Sequence, residues 1–471
     1  MSEDQHGEHR NEDAVEARTD SARRPVEELN LSRRDFIKLS TASGVAVVAG
    51  TGAAAAPQVA EAVQTSARIV IVGGGAGGLT VAARLSNLLA GARITILEPN
   101  ETHHYQPGYT LVGTGIYDKD EVLARTEDYI PGGVEWVRSG AAEFDPEANR
   151  VVTQDGDALE YDYLVVATGC ELRFDWIEGM SRDLVGREGI GSNYAGADGA
   201  AATWEQVQRF MERGGEGVFT TANTPIKCAG APLKATFLTE DLIRREGNRD
   251  KASFNYYQNG NSLFSVDIYH DLAARRFDEK GVTVNYNHEL KAIEPGQRRA
   301  TFVIPELEEE VEVDYDYIHV TPPMSAPKAV RESELAWQEG GHADGGWLEV
   351  DQYTLQHRRY PNVFGIGDVC GTPIGKTAAT VRGHAPVVAD NLVATIQEKE
   401  EMPARFDGYT SCPLITGVGR AALVEFNYEL EQDSSLPFFD QTDDRWMWWQ
   451  VKVRGVKPLY YQMLRGRLLK T

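Results

Sequence analysis

An unbroken apolar run at residues 68–72 passes into a glycine cluster and then into apolar residues at helical spacing over 80–89, which predicts a buried strand, a tight turn and a helix. A second strand pattern fills 93–97 and ends on Glu98. Two further apolar stretches, 163–169 and 362–368, read as strands that end at Thr168-Gly169 and at Asp368. In the middle of the chain a strand pattern at 217–221 leads into a proline-flanked loop, 223–232, and a helical stretch, 233–245. Another helix is predicted to start within 376–382. Strands alternating with helices indicate an α/β chain with two Rossmann-like dinucleotide-binding domains.

The glycines carry the first chemistry. Gly73-x-Gly75-x-x-Gly78 permits a tight turn and lets the backbone approach a pyrophosphate held at a helix N-terminus. Glu98, twenty positions beyond Gly78, supplies the acceptor expected for a ribose hydroxyl. The strands ending at Thr168-Gly169 and Asp368 resemble the two later FAD-contacting motifs of glutathione-reductase-like flavoproteins. A second glycine fingerprint, needed for a nicotinamide dinucleotide, is missing. The loop where it belongs is bulky and holds Cys228 instead, so no NAD(P)H site is expected.

Four ordered stretches, 103–113, 226–234, 367–379 and 407–417, together resemble the sulfide:quinone oxidoreductases, in the branch that includes the mitochondrial enzyme. Gly108, where a larger residue is common, and Cys170 depart from the pattern. The resemblance implies FAD, hydrogen sulfide as electron donor and a membrane quinone as acceptor. It also implies a redox pair, Cys228 and Cys370, in which hydrosulfide opens an oxidised bridge, leaving a persulfide on Cys370 and a thiolate on Cys228. Lys227 and the helix beginning near residue 233 are expected to favour that thiolate. Lys376 and Thr377, at the start of a helix, are expected near the flavin. Cys412 is expected as a structural thiol by the quinone pocket, with Tyr409 as a quinone contact. His103 and His104 are read as proton relays or as solvated turn residues. Open alternatives are the flavoprotein subunit of a flavocytochrome c sulfide dehydrogenase, a type II NADH dehydrogenase and an inactive flavin-binding interaction protein.

Charge narrows the partners. With 71 acids against 47 bases the 471-residue chain carries a net charge of -24, which argues against nucleic acid and suits a halophilic source. Four cysteines without Cys-x-x-Cys spacing give neither a disulfide scaffold nor a metal site. Ser32-Arg-Arg-Asp-Phe-Ile-Lys38 resembles a twin-arginine signal, and the weakly apolar run at 39–60 ends in a small-residue cleavage pattern. Export to the outer face of the cytoplasmic membrane follows as an expectation. Residues 451–471 carry six bases and no acid and follow Trp446-Met-Trp-Trp449, so a peripheral anchor on an anionic membrane surface is expected, against the alternative of a core-packing or dimerising tail. The organisation reads as leader (1–62), FAD domain (67–178), a second dinucleotide-like domain with the cysteine loop (179–325), return to the FAD domain (326–398) and a C-terminal quinone and membrane segment (399–471), with room for a homo-oligomer.

Overall fold

A parallel strand covered on both faces needs branched apolar side chains at nearly every position, which is why Ile and Val fill residues 69–72. The computed structural model describes residues 62–436 and 439–469. In it the strand β1 (Arg68–Val72) runs through the glycine turn into helix α1 (Ala76–Leu88), followed by β2 (Arg93–Leu97), β3 (Glu135–Val137) and β4 (Tyr163–Val166). Next come β5 (Ile190–Gly191), α2 (Gly196–Arg213), β6 (Gly215–Thr220), α3 (Ala231–Arg245), β7 (Ala252–Tyr257), α4 (Asp267–Lys280), β8 (Thr283–Asn285) and β9 (Tyr317–His319). The chain then returns as β10 (Val363–Gly365) and α5 (Ala378–Ile396).

Two five-stranded sheets result, both parallel throughout. One has the order β10-β4-β1-β2-β3 and the other β5-β9-β6-β7-β8. Ligands of such sheets bind beyond the carboxyl ends of the strands, where the order reverses. The turn after β1, with β2 on one side and β4 on the other, is such a point.

Helix α1 starts earlier than its apolar periodicity predicts, at Ala76 and not near residue 80, because the glycine turn itself winds into the first helical turn. Helix α3 likewise starts at Ala231. Pro232 in its first turn has no N–H to lose there and is already set at a helical φ.

The C-terminal part differs most from expectation. An antiparallel hairpin, β11 (Thr410–Gly417) and β12 (Arg420–Phe426), packs on α3. Beyond it, α6 (Trp446–Gln450) passes through a π-helical turn, Val451–Gly455, into α7 (Val456–Leu464). Part of the expected interfacial segment is interior: Trp448 and Trp449 are 1% exposed, Lys452 3% and Leu464 0%. Helix α6 packs on β12 and α7 on α1, which covers these side chains. Trp446, Arg465, Arg467 and Leu468 stay exposed. No described helix is long and apolar enough to cross a membrane. Arg33, Arg34 and Lys470 lie outside the described residues.

Candidate active site

The glycine turn is shaped as a cradle. Gly73 holds φ +107°, which favours glycine, and side-chain atoms at Gly73 or Gly78 would collide with the carbonyl oxygens of Ala167 and Gly73. Gly75, by contrast, faces open space and starts α1 without a side-chain cap, so the first N–H groups of the helix remain available to an anion. Glu98 braces the turn: one carboxylate oxygen accepts from the Gly74 N–H at 2.7 Å, the other from the Asn100 N–H at 2.7 Å. Thr168, after β4, has a buried hydroxyl with no partner among the described residues, and Gly169 follows at φ +71°. Asp368, after β10, is a carboxyl pushed upward by burial. An uncapped N-terminus, an orphaned hydroxyl and an acid at three adjacent strand ends fit FAD, with Gly73, Gly75, Gly78, Glu98, Thr168, Gly169 and Asp368 around it.

Lys376 and Thr377 stand at the start of α5 and are bonded within the chain. The Lys376 ammonium, over the Trp347 ring at 3.6 Å, donates to the carbonyl oxygens of Asp368 (2.6 Å) and Cys370 (3.1 Å), so it braces that turn. The Thr377 hydroxyl caps α5, accepting from the Thr380 N–H at 3.1 Å.

The structure brings Cys228 to Cys412, not to Cys370 as expected. Cys228 Sγ lies 3.3 Å from Cys412 Sγ, while Cys370 is 0% exposed and packs into the core beneath the first sheet with Leu348, Val350 and Val363. The cause is topological. Cys412 sits on β11, which packs against α3, and Cys228 stands just ahead of α3. The Cys370 thiol is pushed up to about 12 by burial, and Cys170, beside the Met324 sulfur at 3.9 Å, to about 11. Both are poor nucleophiles.

Cys228 occupies a left-handed backbone conformation, φ +52°, unusual for a residue with a side chain. Its N–H donates to Lys376 O at 2.9 Å, and its carbonyl accepts from the Ala231 N–H at 2.8 Å and the Tyr194 hydroxyl at 3.3 Å. Between the two sulfurs stands a cation that the sequence reading missed. Lys234 Nζ is 3.0 Å from Cys228 Sγ and 3.2 Å from Cys412 Sγ. Helical side chains lean toward the N-terminus, so a lysine in the first turn of α3 reaches back over the residues ahead of it. Lys227, expected in this role, turns away to Gln106 Oε1 at 2.9 Å. The visible clue was a lone charge within Leu233-Lys-Ala-Thr-Phe-Leu238, all of it buried.

The hydrogen bond from Cys412 holds Cys228 far below the ordinary thiol range; burial opposes this, and Lys234 and Lys452 reinforce it. Cys412, which gives that hydrogen bond and is itself buried, is held far above. Burial works against the Lys234 charge, but the two sulfurs outweigh it and hold the ammonium charged. Lys452, from the π-helical turn, is a second buried cation whose charge acts on these thiols. Burial and Lys234 bring it down to about 8, and its Nζ donates to Pro107 O at 2.7 Å.

Tyr409 is not free to meet a quinone through its hydroxyl, which donates to the buried Glu425 at 2.5 Å in a network with Ser435 and Gln441. His103 is buried, lowered to about 4 by desolvation, and bonded to the Tyr460 hydroxyl at 2.8 Å. His104, also lowered by burial, has an Nδ1 without a partner among the described residues.

Residues 67–210 match the family model of pyridine nucleotide-disulphide oxidoreductases. The chain is 38% identical over 400 residues to the mitochondrial sulfide:quinone oxidoreductase of Mus musculus, covering 84% of this chain and 86% of that one. Against the mitochondrial sulfide:quinone oxidoreductase of Dictyostelium discoideum it is 39% identical over 404 residues, covering 85% and 86%. The crystal structure of the sulfide:quinone oxidoreductase from Aquifex aeolicus shares the fold at a TM-score of 0.70 and 22% identity, over 85% of this chain and 92% of that one. Relatedness of this extent, joined to an FAD-shaped cradle, makes the chain a member of the sulfide:quinone oxidoreductase family of FAD-dependent oxidoreductases.

Proposed function

We propose that this protein oxidises hydrogen sulfide through the pair Cys228 and Cys412 and delivers the electrons to a quinone. The observation that carries this reading is the 3.3 Å approach of the two sulfurs with Lys234 Nζ against both. A movement of little more than an ångström closes that spacing to a disulfide, near 2.05 Å. In the oxidised form hydrosulfide attacks Cys412 Sγ and breaks the bridge, leaving a persulfide on Cys412 and a thiolate on Cys228. The direction follows from acidity, because the sulfur with the lower pKa is the better leaving group and Lys234 neutralises its charge. Transfer of the outer sulfur to an external nucleophile leaves two thiolates, and their reclosure to the disulfide releases two electrons. FAD, when bound, takes that pair and passes it to quinone.

The localisation rests on sequence alone. A twin-arginine leader containing Arg33 and Arg34 supports export to the outer face of the cytoplasmic membrane, and Trp446, Arg465, Arg467 and Leu468 are the exposed C-terminal residues suited to peripheral contact. The test is anaerobic reduction of decylubiquinone by the purified holoenzyme with sulfide and, separately, with NADH. Turnover with sulfide and none with NADH is expected; the reverse refutes the proposal.

A further inference from the structure

The π-helical turn Val451–Gly455 interrupts an otherwise continuous α-helix, and Lys452 lies on it. Such turns are rare, cost hydrogen-bond geometry, and recur at functional sites. Shifting the helix by one residue there would swing position 452 about 100° around the axis relative to α7. Something must therefore stabilise the wide turn, and the partner is Tyr117. Its hydroxyl donates to the Val453 carbonyl oxygen at 2.5 Å, at the residue next to Lys452. Tyr117 is 9% exposed, and burial raises its pKa, so it stays a protonated donor. Nearby, Lys452 Nζ donates to Pro107 O at 2.7 Å, and the Tyr460 hydroxyl meets His103 Nε2 at 2.8 Å. One stretch of chain, from His103 to Tyr117, thus grips the C-terminal helix at three points.

We propose that Tyr117 is a positioning residue for the dithiol: by holding the π-helical turn at Val453 it keeps Lys452 in the register from which its charge reaches Cys228 and Cys412. The proposal rests on the reading of Cys228 as the reactive thiolate. Cys412 from β11 and Lys234 from α3 touch this sulfur, the charge of Lys452 from the π-helical turn reaches it, and Asp368 and Tyr194 feel its charge. Lys452 lowers the Cys228 pKa, so its displacement must raise it.

The experiment uses the holoenzyme, reduced with dithiothreitol, freed of it anaerobically and treated with iodoacetamide across a pH series from about 4 to 9, with Cys228 carbamidomethylation followed by peptide mass spectrometry. Tyr117→Phe keeps the ring and removes the bond. Its alkylation profile is expected to move up by about half a pH unit, about threefold slower on the rising limb. Lys452→Met should move it at least as far, and Lys452→Arg should leave it near wild type. Amide exchange over 451–456 should quicken in Tyr117→Phe. A Tyr117→Phe profile superimposed on wild type while Lys452→Met is displaced overturns the positioning role. Superposition of Lys452→Met as well removes the charge effect and the proposal with it. Alkylation of Cys412 in preference to Cys228 in the wild type defeats instead the underlying assignment of the thiolate.

Discussion

Cys228 and Cys412 stand 184 positions apart in sequence and 3.3 Å apart in space, with the Lys234 ammonium against both sulfurs. The pair joins the loop ahead of α3 to the strand β11 packed on it. Two other thiols, Cys170 and Cys370, are left in surroundings that keep them protonated.

Substitution separates the thiols. Cys228→Ser and Cys412→Ser should each abolish sulfide-dependent flavin bleaching while FAD stays bound, since neither touches the glycine turn. Cys370→Ala should retain most turnover and lose about 1 kcal/mol or somewhat more in urea denaturation, the cost of a small core vacancy. A Cys412→Ser enzyme with wild-type turnover would remove it from the redox pair.

Lys234→Met should depress sulfide turnover by about a hundredfold, the scale of losing one preorganised charge at a reacting group. The reduced protein should also show a pH signature. A thiol whose folded pKa is depressed contributes stability that is fully present above its unfolded pKa and is lost as pH falls through the folded one. The melting temperature of the reduced wild type relative to Lys234→Met should therefore rise from acid toward pH 9. A difference that shrinks with rising pH contradicts the thiolate–ammonium pair.

Gly73→Ala should lose FAD, because φ +107° and the Ala167 carbonyl leave no place for a methyl group. Glu98→Gln should bind FAD about tenfold more weakly, the scale of one charge-assisted hydrogen bond. Flavin release on dilution, followed by fluorescence, measures both.

Removal of residues 451–471 should destabilise the whole chain, because it strips Lys452, Tyr460, Met463 and Leu464 from the interior. Arg465→Glu combined with Leu468→Asp touches only exposed positions and should weaken binding to anionic vesicles while sulfide-dependent flavin bleaching is kept. Unchanged flotation of that double variant would relieve these residues of membrane contact.

A net charge of -24 implies self-repulsion that salt screens. The melting temperature should climb between about 0.1 M and 1 M KCl, where the Debye length falls from about 10 Å to about 3 Å. A flat or falling curve argues against salt adaptation.

The cofactor half of this protein was legible in sequence because its chemistry is local. The strand, the glycines and the helix are contiguous, Glu98 lies one strand away, and the ends of β4 and β10 announce themselves by apolar runs stopping at Thr168-Gly169 and Asp368. Cys228 was equally visible, standing in the loop where a second glycine fingerprint would lie. Its neighbour in space was not, because the meeting of two thiols depends on which faces of which elements meet: the sequence reading set Cys370 beside it and expected Cys412 as a structural thiol. Only the packing of β11 on α3 decided between them. The same holds for the cations. Lys227 adjoins Cys228 in the chain but projects toward Gln106, whereas Lys234 returns to it along the helix and Lys452 comes from more than two hundred positions further along the sequence. The basic, aromatic tail likewise reads as membrane-seeking by composition, yet a Trp or Lys suits an interface or an interior depending on what covers it, and α7 found its cover on α1.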